Sequence, residues 1–128
     1  MCDMAHEWIR AAEDDIAAIC AMVNDDNLTN IIAFHAQQAV EKSLKAVIEH
    51  GGGSIPRKHD LLLLHSKVSE LVIIEDDSIL DTLNQLYTEA RYPSEFGLLP
   101  HGKPTPADAK ILAEFAKDTV QMIKTMIC

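Results

Sequence analysis

Apolar residues recur at helical spacing along nearly all of this chain. Ala5, Trp8, Ile9, Ala12, Ile16, Ile19, Cys20 and Val23 step by three and four, which predicts an opening amphipathic helix. Asp3 is a candidate cap for it, and Cys20, on the stripe, reads as a small core hydrophobe. Asn24-Asp25-Asp26-Asn27 then interrupts the pattern with side chains that favour turns, so a second helix is expected from near Leu28. Ile32, Ala36, Ala39, Val40, Leu44, Val47 and Ile48 give it one apolar face up to Gly51-Gly52-Gly53, where glycine's tolerance of left-handed geometry suits a C-cap. Asp60 is a plausible N-cap for a third helix carrying Leu61, Leu64, Val68, Leu71 and Val72. Leu61 to Leu64 also fits a buried strand, but length and the later spacing favour helix. Ile79, Leu80, Leu83, Leu86, Tyr87 and Ala90 mark a fourth helix, ending about Arg91 because Tyr92 precedes Pro93. After a long loop from Tyr92 to Pro104, Thr105-Pro106-Ala107-Asp108 reads as cap, first-turn proline and favourable acid. They open a last helix with Ala109, Leu112, Phe115, Ala116, Val120, Ile123 and Ile127 inward. The pattern predicts an all-α protein, a mostly antiparallel five-helix bundle.

Composition narrows this further. A chain of 128 residues fits one domain spanning 1–128, and 48% hydrophobic with 24% charged residues excludes wholesale disorder. No apolar run approaches the ~18–20 residues of a membrane span, and Met-Cys-Asp-Met-Ala-His-Glu lacks the basic start and apolar core of a signal peptide. A cytoplasmic protein is expected. Cys2, Cys20 and Cys128 imply no disulfide framework. Eleven basic against 20 acidic residues give a net charge of −9, which opposes phosphate backbones, so any nucleic-acid contact requires a local basic patch.

Three constellations carry candidate chemistry. On the second helix, His35, Gln38, Lys42, Lys45 and Glu49 share a face. That pattern fits a solvated surface, with Glu41 and Lys45 as an i, i+4 pair, or a site in which His35 and Gln38 hydrogen-bond beside a phosphate-directed Lys42. Arg91-Tyr92-Pro93 places a guanidinium and a phenol at the mouth of the long loop, able to grip phosphate and stack on a base, or to satisfy helix carbonyls and pack. Arg57-Lys58-His59-Asp60 is a basic turn ending in a cap. The six histidines contain no pair spaced as in a helical zinc motif, so neither metal nor cofactor is expected, and Gly51 to Gly53 lack the Gly-Lys-Ser/Thr ending of a phosphate loop.

His35-Ala36-Gln37-Gln38-Ala39-Val40-Glu41-Lys42-Ser43-Leu44-Lys45-Ala46 resembles the signature helix of the HEPN family, the higher eukaryotes and prokaryotes nucleotide-binding domain. Trp8-Ile9 with Ala12 and Asp15-Ile16 resembles its opening helix, Lys58-His59-Asp60-Leu61 the start of its third, and Arg91-Tyr92-Pro93 the end of its fourth. The resemblance implies a helical bundle that dimerises, binds nucleotide, and often pairs with a minimal nucleotidyltransferase in a two-component, toxin–antitoxin-like system. Many members are instead metal-independent endoribonucleases, marked by Arg followed after four to six residues by His. Here the only arginines are Arg10, Arg57 and Arg91, and nine residues separate Arg91 from His101.

The leading expectation is therefore a non-enzymatic HEPN homodimer that binds a nucleotide or a nucleotidyltransferase partner. The ligand face would comprise His35, Gln38, Lys42, Lys45 and His59 with Arg91 and Tyr92. The rival is a ribonuclease toxin using Arg91 with His101 or His35, and a third reading is a helical adaptor without ligand.

Overall fold

The computed structural model describes residues 3–91 and 104–127, with side chains placed over 4–88 and 104–127. Five helices and no strand occur among them: α1 (Asp3–Met22), α2 (Thr29–His50), α3 (Leu61–Ser66), α4 (Ser78–Arg91) and α5 (Pro106–Ile127). The bundle is organised around α2, which packs against each of the other four. Close approach is possible because Ala33, Ala36, Ala39 and Ala46 are small and wholly buried there, filled between by Ile32, Val40 and Leu44. Ile9 and Ile19 of α1, Leu61 and Leu64 of α3, Leu80 and Leu83 of α4, and Leu112, Val120 and Ile123 of α5 complete one core. No described helix is long and apolar enough to cross a membrane.

Local chemistry sets the helix ends. α2 stops in a Schellman motif: the Gly52 N–H donates to the Glu49 carbonyl and the Gly53 N–H to the Ile48 carbonyl, each at 3.0 Å. Gly52 takes the left-handed conformation this closure requires, at φ +77°. Asp60 caps α3, its carboxylate accepting from the Leu62 and Leu63 N–H groups. Asn84 of α4 ties that cap down, donating to Asp60 Oδ1 and accepting the Leu61 N–H, both at 2.9 Å. The start of α3, and with it His59, is thereby fixed against α4. Thr105 Oγ1 accepts the Asp108 N–H at 3.0 Å, as its place before Pro106 predicts.

Three expectations give way. Cys20 is exposed rather than in the core. Cys20 points within about 20° of Ile9, eleven residues earlier and buried, so its place near the end of α1, which stops at Met22, and not its direction, leaves it exposed. The third helix ends at Ser66 instead of running on through Val72. Beyond it the chain winds through turns in which His65 Nε2 donates to the Val72 carbonyl at 2.7 Å, so Val72 is buried while Leu71 is 62% exposed. The third concerns Lys45, expected on an exposed face, whether solvated or ligand-binding, and found buried with Glu41. Asp3 as a cap, the Arg91 side chain, Tyr92 and the loop with His101 lie outside the described residues or side chains.

Candidate functional site

The outer face of α2 carries a polar network held by two carboxylates. Asp15, projecting from α1, accepts from His35 Nδ1 on one oxygen and from Lys42 Nζ on the other, both at 2.8 Å. Seven residues separate His35 from Lys42, about two helical turns, so a single carboxylate opposite can engage both. With its Nδ1–H committed to a carboxylate that only accepts, the imidazole has Nε2 left uncommitted, and the ammonium keeps two further N–H donors. The His35 and Lys42 side chains are 27% and 25% exposed, while Asp15 is buried beneath them.

Glu41 organises the second half. Its carboxylate accepts from Lys45 Nζ at 2.9 Å, His59 Nδ1 at 2.9 Å and Gln37 Nε2 at 3.0 Å. Gln37, wholly buried, also donates to the His59 carbonyl, and its own oxygen accepts from Gln38 Nε2 at 2.7 Å. Lys45 lies 5.3 Å from the centroid of the Trp8 ring, adding a cation–π contact. The buried Glu41 carboxylate is tolerable because it is paired with an ammonium and accepts two further hydrogen bonds.

An aromatic seam joins the halves. Phe34 stacks on Tyr87 of α4 with centroids 5.4 Å apart and rings 14° from parallel, meets His35 edge-on, and Tyr87 in turn contacts His59. Two carboxylates face two ammonium groups, so the face balances its charge before the imidazoles are counted, in a chain of net charge −9.

The network thus brings His35 and Lys42 together on Asp15, and Lys45 and His59 together on Glu41. Lys45 is buried within it and Gln38 gives one N–H to Gln37, while His35, Lys42 and the half-exposed His59 keep an open side. Asp15 and Glu41 are the residues that stripe reading underrates. The signal for Asp15 is its position at helical spacing with Trp8, Ala12 and Ile19: an acid inside an apolar stripe needs a buried cation or hydrogen-bond donor. Among the described residues no group of three His, Cys, Asp or Glu side chains is placed to hold a metal ion.

The structure is an all-helical bundle in which polar contacts from α1 and from the residue before the α3 cap converge on the second helix. The HEPN domain model matches residues 5–126, nearly the whole chain, and the protein belongs to the HEPN family. Its fold is similar to that in the crystal structure of TT1696 from Thermus thermophilus, with a TM-score of 0.73 over 94% of this chain and 96% of that one, at 22% identity. Among curated proteins none matches the sequence. Family membership supports a nucleotide- or RNA-related function in general.

Proposed function

We propose that this protein is a homodimeric HEPN domain that binds the phosphate-bearing part of a nucleotide on the outer face of α2, with His35 and Lys42 as the contacting donors. The observation that carries the reading is their common anchor. Asp15 orients both groups at 2.8 Å while leaving each about one-quarter exposed, so the donors are pre-arranged before any ligand arrives. In this proposal Gln38, Lys45 and His59 act chiefly by holding the helix face in register, and Arg91 and Tyr92 remain candidate ligand contacts from the sequence. In the same proposal a minimal nucleotidyltransferase is the protein partner, in a toxin–antitoxin-like pair.

The test is calorimetric titration of the purified protein with AMP, ATP and GTP, followed by Lys42→Ala. Binding weakened at least about tenfold, roughly 1.4 kcal/mol, with the circular dichroism spectrum kept, is the expected result. Equal binding by wild type and variant, or no binding at millimolar nucleotide, overturns it.

A second reading rests on the His35–Asp15 pair itself. A part-exposed imidazole whose Nδ1–H is held by a carboxylate, with Nε2 uncommitted, has the arrangement that general acid–base chemistry uses. RNA cleavage in the presence of chelator, lost in His35→Ala, would favour that ribonuclease reading over simple binding.

A further inference from the structure

A second surface lies away from the α2 network, between α5 and the segment that leads into α4. Ile73, Ile74, Ile79, Phe115, Thr119 and Met122 line an open groove of about 380 Å³. Phe115, Thr119 and Met122 share one side of α5, and Ile111 and Met126 extend the stripe by about a turn in each direction. The apolar residues are not covered: Ile73 is 67% exposed, Ile111 60%, Met126 40% and Met122 39%. Single exposed apolar residues are ordinary, but a contiguous set along a helix signals a surface meant to be occupied.

Charge selects the occupant. The groove's lining also contains Glu75, Asp76 and Asp118, and among its described lining residues there is no Lys, Arg or His. Lys124, farther along α5, is drawn to Glu13 on α1 at 2.8 Å. A second copy of this chain, docked by two-fold symmetry, would set these carboxylates against their own equivalents within a Debye length of ~8 Å. An anionic membrane surface is repelled for the same reason. A partner with an apolar stripe flanked by Lys or Arg satisfies both the floor and the rim.

We infer that this groove docks a basic amphipathic helix of a partner protein, independently of ligand binding on α2. The stripe from Ile111 to Met126 spans ~22 Å at 1.5 Å per residue, which a partner helix of about 15 residues matches. Its recognition mode is helix-in-groove, with apolar anchors at i, i+3, i+4 and i+7, and the methionines can adapt to the anchors' shapes.

The experiment titrates the full ¹⁵N-labelled chain with two synthetic helical peptides sharing the same leucine stripe, one with Lys and one with Glu at every other position. The Lys peptide is expected to shift amides in 73–76 and 115–122, and the Glu peptide to leave them unmoved. Affinity, read by fluorescence anisotropy, should fall at least about tenfold in the Ile73→Ser/Met122→Ser double variant. It should fall several-fold in Glu75→Gln/Asp118→Asn, yet stay within about twofold in Asp14→Asn/Asp26→Asn, which removes the same charge from an exposed site on α1 and its following turn. Shifts centred elsewhere, or equal weakening by the two charge variants, would mean bulk attraction to an acidic protein and overturn the inference. So would sedimentation showing that Ile73→Ser/Met122→Ser dissociates a homodimer, because the groove would then be occupied by a second copy.

Discussion

Glu41→Ala is the most demanding test of how the α2 face is held together. The wild-type carboxylate is 3% exposed and accepts three hydrogen bonds, from Lys45, His59 and Gln37. Truncation leaves the Lys45 ammonium, 8% exposed, without its counter-ion, and leaves Gln37 with one partner fewer. Removing one member of a buried ion pair costs about 3–5 kcal/mol, since the surviving charge remains desolvated. The half-exposed His59 adds little to that figure because solvent screens it. At ~2.1 cal/mol/K per residue, 128 residues give an unfolding entropy of about 0.27 kcal/mol/K, so the midpoint should fall by roughly 11–18 °C. Urea denaturation should report the same loss with an unchanged slope. The reasoning also fixes the double variant: Glu41→Leu with Lys45→Met removes both charges and fills their volume, and should recover most of the loss. A Glu41→Ala loss below about 1 kcal/mol, or a double variant no more stable than the single one, would refute the view that uncompensated charge sets the cost.

Three further outcomes follow from local geometry. Gly52→Ala should cost about 1 kcal/mol in urea denaturation, arising wholly from the left-handed backbone, because an added Cβ meets nothing within 4 Å. Asp60→Ala removes the cap of α3 and the Asn84 contact, and a loss of about 1–2 kcal/mol with reduced amide protection at Leu62 and Leu63 is expected. Hydrogen bonds from the Ser78 side chain and then its backbone N–H hold the Asp76 carboxyl below its usual range. Its contribution to the start of α4 should therefore be complete above about pH 4 and lost as pH falls through the lowered value, seen as faster Ser78 amide exchange that Asp76→Asn abolishes.

The helices themselves were legible in the sequence because their apolar spacing is local information. The breaks at Asn24–Asn27 and Gly51–Gly53 and the caps at Asp60 and Thr105 all depend on residues within a turn of the event. The resemblance carried by residues 35–46 was legible for the same reason, and the family match over 5–126 agrees with it. The early end of α3 was not legible, because the His65 bond to the Val72 carbonyl competes with continued helix only once Val72 has reached the core.

The candidate site divides along the same line. Sequence placed His35, Gln38, Lys42 and Lys45 on one helical face, since 3.6 residues per turn is enough to do that. It did not decide which of them would be spent and which would stay open. That depended on the distance and angle at which α1 crosses α2, which bring Asp15 to Lys42 across 27 positions of sequence. It depended equally on the α3 cap and its Asn84 tether, which set His59 against Glu41 across 18. A helical wheel records direction about one axis, whereas burial and ion pairing are properties of the space between axes. Lys42 and Lys45, alike in sequence, therefore end as an open donor and a buried strut.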